Sequence, residues 1–223
     1  MGKGGPIHPI SSIILAGGRS SRLGRNKALL ELNGQVLIER IIDRLEQVSE
    51  ELIIVTNEVD QYEEFEANII SDVYPGKGAL GGIYSGVKRA TNPHSLVVAC
   101  DMPFLNVSLL RYMQGLATPH DVLIPRVSRS TEALHAIYSK NCLPFIERQL
   151  LEGDLRIIHF FPHVRVRYVE QEEIEIFDPQ HLSFFNINSE ADLERARQMW
   201  SHEEQIVSQE ATNRGSGSCP SPC

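Results

Sequence analysis

Short apolar runs alternate along the chain with longer stretches whose apolar residues recur every three or four positions. Ser12–Leu15 (SIIL), Leu52–Thr56 (LIIVT), Ile69–Ser71 and Ser95–Cys100 (SLVVAC) have the length and content of buried strands. Gln35–Val48 places Leu37, Ile38, Ile41, Ile42, Leu45 and Val48 on one face, which predicts an amphipathic helix. Gly81–Ala90, Val107–Leu116 and Asn141–Glu152 predict further helices. Asp121–Pro125, Leu134–Tyr138 and the alternating Val164–Val169 (VRVRYV) predict further strands. Ser189-Glu190-Ala191-Asp192 has capping-box spacing and predicts a last helix through Trp200.

This alternation predicts an α/β fold: a single three-layer Rossmann-like domain with a mostly parallel sheet. Ligands of such sheets bind at the carboxyl ends of the strands, where the strand order reverses. The chain shows no internal repeat and no second-domain boundary. It divides into an N-terminal extension (1–11), one domain (12–200) and a polar tail (201–223). The tail carries only Ile206 and Val207 as aliphatic residues larger than alanine, too little to offset ordering entropy, and is expected to be disordered.

Composition narrows the function. The 223 residues, 42% hydrophobic and 22% charged, suit one core of ordinary size. No apolar run reaches the length of a membrane span, and the N-terminus has no signal-peptide core, so a cytoplasmic protein without a membrane partner is expected. The net charge of −8 argues against a nucleic-acid binder. Yet Met1–Leu30 has no acidic residue and carries Lys3, Arg19, Arg22, Arg25 and Lys27. A locally basic segment in an acidic protein points to a small anionic ligand. The four cysteines lack zinc-finger or Cys-x-x-Cys spacing; Cys100 and Cys142 read as core thiols.

That basic segment follows the first strand as Ala16-Gly17-Gly18-Arg19-Ser20-Ser21-Arg22-Leu23-Gly24-Arg25-Asn26-Lys27. Gly17 and Gly18 let backbone N–H groups approach phosphate oxygens, and Arg22 and Lys27 can neutralise phosphate charge. The spacing is neither a Walker A loop nor Gly-x-Gly-x-x-Gly, which takes most of the weight from the P-loop kinase and dinucleotide-oxidoreductase readings. Asp101 ends the SLVVAC strand and is placed to hold Mg²⁺ with substrate phosphates and water. Asp72, before a Gly/Pro loop, is open to a turn role as much as to a ligand role. Gly76, Gly78, Gly81 and Gly82 could let a base or ribose approach the backbone, or serve the loop alone.

These segments resemble the nucleotidyltransferases related to molybdenum cofactor guanylyltransferase. The resemblance rests on Leu15-Ala16-Gly17-Gly18-x-Ser20-x-Arg22-Leu23-Gly24-x-x-Lys27 and on Ser71-Asp72-x-x-Pro75-Gly76-x-Gly78-x-Leu80-Gly81-Gly82-Ile83. It continues in Ala99-Cys100-Asp101-Met102-Pro103-Phe104-Leu105 and Phe185-Asn186-Ile187-Asn188-Ser189-x-x-Asp192-Leu193. Four motifs in order cover roughly Ile13 to Trp200. The resemblance implies a fold of the nucleotide-diphospho-sugar transferase type and transfer of GMP from GTP to molybdopterin, releasing pyrophosphate, with Mg²⁺. It implies that Leu15, Ala16 and Gly17 line guanine and ribose, that Lys27 meets the phosphates, that Asp72 and Asn57 contact the nucleotide, and that Asp101 binds the metal. Gly18 and Gly82 join this nucleotide set, and Arg22 joins Lys27 and Asp101 in catalysis. Transient contact with other molybdenum cofactor biosynthesis proteins is expected. Leu23 and Ala79 depart from the common pattern without altering its chemistry.

Asn186 and Asn188 alternate, which suits one-sided recognition of a polar ring such as the acceptor's pterin; turn and cap roles are the alternative. His135, between apolar neighbours, reads as a satisfied core or edge histidine rather than a ligand. No Ser/His/Asp or Cys/His arrangement supports a covalent route. A CTP-dependent molybdopterin cytidylyltransferase, a sugar-phosphate nucleotidyltransferase and a non-enzymatic nucleotide-binding regulator are the competing readings. The Ala-Gly-Gly form of the first loop favours GTP, and the presence of both Lys27 and Asp101 favours turnover.

Overall fold

The computed structural model describes residues 8–17 and 26–200. Gly18 and Arg22 lie outside the described residues, as does the 201–223 tail. Ten strands are described. They are β1 (Ser11–Leu15), β2 (Glu31–Leu32), β3 (Gln35–Val36), β4 (Glu51–Val55), β5 (Asn68–Ile70), β6 (His94–Ala99), β7 (Val122–Val127), β8 (Ser130–Thr131), β9 (His135–Ser139) and β10 (Val166–Glu170). The helices are α1 (Leu37–Leu45), α2 (Gly78–Arg89), α3 (Val107–Leu116), α4 (Leu143–Glu152) and the short α5 (Gln171–Ile174). Residues 190–200 are helical as well.

The main sheet runs in the order β10-β7-β9-β6-β1-β4-β5, with β8 paired to β7. β5, β4, β1 and β6 run parallel to one another, and β10 is parallel to β7. β9 alone in this path is antiparallel to both neighbours. Alternation along the strands sends Ile14, Ile54, Leu96 and Val98 to one face, against α1 and α3. Ile13, Ile53, Val55 and Val97 go to the other face, against α2 and α4. Three layers result, as the sequence predicts.

Two differences have clear causes. The helix expected over Gln35–Val48 begins only at Leu37, because Gln35–Val36 pair with Glu31–Leu32 as an antiparallel hairpin. Its turn is Asn33-Gly34, with φ of 49° and 83°; two successive positive φ angles are what an Asn-Gly hairpin turn adopts at low cost. The Glu39 carboxylate then accepts the Val36 N–H at 3.1 Å and closes the helix start. The reversal of β9 follows from a second short turn at Ser128 and Arg129, both at positive φ, which folds the chain straight back after β7. A parallel return would have needed a crossover of a dozen residues or more.

His135 is a core residue, but not the satisfied one expected. It is fully buried with its ring edge on Phe184, centroids 5.0 Å apart, and neither ring nitrogen has a hydrogen-bond partner among the described residues. Burial lowers its pKa to about 4, opposed in part by the Asp178 carboxylate. Between this value and the ordinary 6.5, the unfolded chain binds more protons than the folded one. Stability therefore falls as pH drops through that window, by about 2 kcal/mol at pH 5. The variant His135→Leu should lose this acid sensitivity. Thermal melts at pH 7 and pH 5 should show a smaller gap in the variant than in the parent, and an equal gap would refute the account.

Candidate functional site

β1 and β6 lie side by side in register, Leu15 opposite Ala99, so their carboxyl ends open at the same edge of the sheet. The next link is a backbone bond from Cys100 N–H to the Leu15 carbonyl at 3.2 Å. On the other side, Ala16 N–H donates to the Val55 carbonyl at 2.9 Å. Leu15, Ala16 and Gly17 are thus held at the point where strand order reverses, with Ala16 buried and Gly17 exposed.

Lys27 begins a turn of 3₁₀ helix, Lys27–Leu29, capped by the Asn26 side chain, which accepts Ala28 N–H at 3.2 Å. The Asn26 amide also reaches the buried Tyr62 hydroxyl at 2.9 Å and Gln61 at 2.8 Å. The Tyr62 hydroxyl lies 3.4 Å from the Ala16 carbonyl, and burial pushes its pKa up to about 12, so it acts as a neutral donor. Asn26 and Tyr62 were not singled out from sequence. Asn26 had a local signal, an Asx residue before a helical turn; Tyr62 had none.

From this turn the Lys27 ammonium reaches Asp101 Oδ2 at 3.3 Å and Asn188 Oδ1 at 2.8 Å. A backbone bond from Ile187 N–H to the Asp101 carbonyl, 3.0 Å, ties the same two segments. Lys27 and Asp101 are largely buried, with side chains 17% and 18% exposed, so their attraction is less screened than that of a surface pair. Asn188 is anchored in turn: its N–H and the Ser189 hydroxyl both donate to the Asp192 carboxylate, at 3.2 and 2.8 Å. Ser189 Oγ accepts the Asp192 N–H at 3.2 Å, the N-cap half of the capping box read from these residues, while the Asp192 carboxylate takes the Asn188 N–H in place of that of Ser189. Asn186 is not part of this knot; its amide donates to the Phe184 carbonyl at 3.0 Å. No strand is assigned over 185–188, so the pairing of the two amides on one extended face does not follow.

The remaining expected residues gather at the ends of β4 and β5. Asn57 Oδ1 is 3.4 Å from Asp72 N. Asp72 Oδ1 accepts Tyr74 N–H at 2.9 Å and the Ser85 hydroxyl at 2.7 Å, which is turn-forming chemistry. Gly82 is buried in α2, where an added Cβ would lie 3.1 Å from Leu15 Cδ2. Its missing side chain eases the approach of the helix to the Leu15 side chain, a packing role that needs no ligand.

Among the described residues no group of three His, Cys, Asp or Glu side chains converges as a metal cage. A single strand-end carboxylate suits Mg²⁺ better than zinc, because Mg²⁺ takes most of its ligands from phosphates and water. The Cys100 thiol beside it is pushed up to about 12 by burial, with the Asp101 charge adding to the effect, so it stays protonated and is not a nucleophile.

The family model of the MobA-like NTP transferase domain matches residues 12–166. The chain belongs to the MobA-like NTP transferase family. A relative from Pelotomaculum thermopropionicum, named probable molybdenum cofactor guanylyltransferase, is 38% identical over 85% of this chain and 92% of its own length. One from Desulfosudis oleivorans, named molybdenum cofactor guanylyltransferase, is 35% identical over 84% of this chain and 94% of its own. The crystal structure of molybdopterin-guanine dinucleotide biosynthesis protein A from Archaeoglobus fulgidus superposes with a TM-score of 0.76 at 30% identity, over 86% of this chain and all of that one. The MobA-like span contains Leu15, Lys27, Asp72 and Asp101; Asn188, the third member of the Lys27 knot, lies beyond it.

Within this MobA-like domain, Ser85 is the residue that joins α2 to the Asp72 loop. It is buried, donates to Asp72 and accepts Val73 N–H at 2.9 Å. Removing the hydroxyl in Ser85→Ala takes the acceptor from the Val73 N–H and leaves Asp72 Oδ1 with the Tyr74 N–H, and should cost about 1 kcal/mol, read by denaturant unfolding. A variant as stable as the parent would show that this bond does not hold the loop.

Proposed function

We propose that this chain transfers GMP from GTP to molybdopterin and releases pyrophosphate, with Mg²⁺, in the cytoplasm. The observation that carries the reading is the meeting of Lys27, Asp101 and Asn188 at the switch point of a MobA-like sheet. The names of the relatives supply the base and the acceptor. No helix among the described residues is long and apolar enough to cross a membrane, which agrees with a reaction between two water-soluble anions.

In this reaction an acceptor phosphate oxygen attacks the α-phosphorus of GTP in line. The new P–O bond forms as the bond to the bridging oxygen breaks, and pyrophosphate leaves with that oxygen. The obstacle is charge, because both partners are anions. Lys27 brings a cation to the phosphates from the Asn26-capped turn, and Leu15, Ala16 and Gly17 offer strand-end backbone to the nucleoside. Asp101 and the substrate phosphates would hold Mg²⁺, which when bound draws charge from the reacting phosphate. Asn188 orients Lys27 from the acceptor side, and Asn186 lies two residues away in the same segment. Preorganised charge supplies most of the rate in such a site, and alignment of the two substrates supplies the rest.

Two measurements test the reading. Calorimetry with Mg²⁺ should show GTP binding more tightly than CTP or ATP, since base-edge groups left unpaired by the wrong base cost about 1–3 kcal/mol. Equal affinity for the three would exclude the guanylyl assignment. Separately, Asp101→Asn keeps shape and removes charge. With GTP and molybdopterin it should lower pyrophosphate release by about 10²–10³-fold or more. The variant should stay folded with a modest fall in melting temperature, because Lys27 loses its counter-ion but keeps the Asn188 bond, and a strand-end carboxylate is not core packing. Turnover within tenfold of the parent would remove Asp101 from the reacting centre.

A further inference from the structure

Arg40 is a charged residue in a place where charge is costly. It lies on α1, next to the apolar stripe, and is only 9% exposed. Its Nε–H donates to the Pro103 carbonyl at 2.9 Å. Its guanidinium lies 4.0 Å from the centre of the Trp200 ring and 5.8 Å from that of Phe104. Pro103 and Phe104 are two and three residues past Asp101. Trp200 belongs to the helical stretch 190–200, whose start is the Ser189/Asp192 cap that also holds Asn188.

The surroundings make this more than a local contact. A small apolar cluster holds Leu30 and Leu32, just past Lys27; Phe104, just past Asp101; Ile187, beside Asn188; and Leu193 and Trp200 on the last helix. Each of the three segments that carry the Lys27 knot therefore has one foot in this cluster. Leu37, one turn before Arg40 on α1, belongs to it too. Arg40 brings a directional bond to that cluster and aims it at the turn from which Asp101 projects. Packing alone excludes water but leaves a turn free to slide; a planar guanidinium stacked on an indole, with its Nε–H committed, restricts both position and rotation.

We infer that Arg40 is a positioning residue for the Asp101 carboxylate, holding the 101–104 turn through the Pro103 carbonyl and the Trp200 ring. The inference rests on the reading of Asp101 as the carboxylate that meets the divalent cation. It does not rest on the identity of the acceptor. Loss of Arg40 should therefore disturb the cation-dependent part of nucleotide binding and spare the part made by the strand-end backbone and Lys27. A merely stabilising arginine would not separate the two.

The test is calorimetric titration of the full-length chain with GTP, with and without Mg²⁺, on the parent, Arg40→Met and Arg40→Lys. In the parent Mg²⁺ should tighten GTP binding. In Arg40→Met, which keeps volume and removes both the Nε–H and the charge, that tightening should shrink at least fivefold. Affinity without Mg²⁺ should stay within twofold of the parent. Arg40→Lys keeps charge over Trp200 but lacks the Nε–H, and should fall between the two. If Arg40→Met does not fold, Arg40→Lys decides alone by the same split. Parent-like tightening in the folded variants would overturn the positioning role while leaving the Asp101 reading intact. A parent whose GTP affinity ignores Mg²⁺ would overturn the Asp101 reading, and the role of Arg40 with it.

Discussion

The parallel pairing of β1 with β6 is the constraint on which the rest of the site depends. The two strands are separated by most of the sheet's first half in sequence, yet they lie in register and end together. Parallel strands cannot be neighbours without crossovers, and these crossovers carry α1 and α2 to opposite faces. Burial of both faces makes this register costly to shift, because a one-residue slip would turn every apolar side chain to the wrong layer. The Leu15–Gly17 end of β1 and Asp101 therefore lie side by side wherever the core is formed. Asp101 and the end of β1 are thus mounted on the buried centre of the sheet.

What the central sheet does not do is aim Lys27 and Asn188. They leave from a short 3₁₀ turn and from an irregular segment, neither of which is held by ladder hydrogen bonds. Their placement is delegated to side-chain caps, Asn26 on one side and Asp192 on the other, and to the small cluster around Phe104, Ile187 and Trp200. This division has a physical logic. Phosphate binding needs backbone N–H groups at a fixed point, and strands provide that. The long Lys27 side chain is held from more than one direction, by Asp101 and Asn188, and loops pinned on a common core provide that.

The unsatisfied His135 and the Asp72 loop show two ways in which the fold spends polar groups near this edge. Asp72 Oδ1 serves its own turn and Ser85. His135 is buried under Phe184, two residues from Asn186, with no hydrogen-bond partner among the described residues. The first rigidifies the loop at the end of β5. The second stores a cost that the apolar packing of a large core can carry.

Much of this was legible in the chain itself. Apolar periodicity is a local property, and it determined the strands, the helices and the three-layer arrangement within a few residues. Glycines and an aspartate placed just after buried strands likewise marked the sheet edge where Leu15, Gly17 and Asp101 lie, because strand ends are read from neighbours in sequence. Asn33-Gly34 carried an equally local hairpin signal, which the helical pattern after it masked. The sequence did not determine the direction of β9, the isolation of His135, the partner of Asn188 or the place of Arg40. Those were decided by tertiary structure. Lys27 and Asn188 are 161 positions apart and Lys27 and Asp101 are 74 apart. Arg40 meets Pro103 across 63. No pattern of spacing encodes such meetings, because they are set by how strands order in the sheet and how the last helix closes on it.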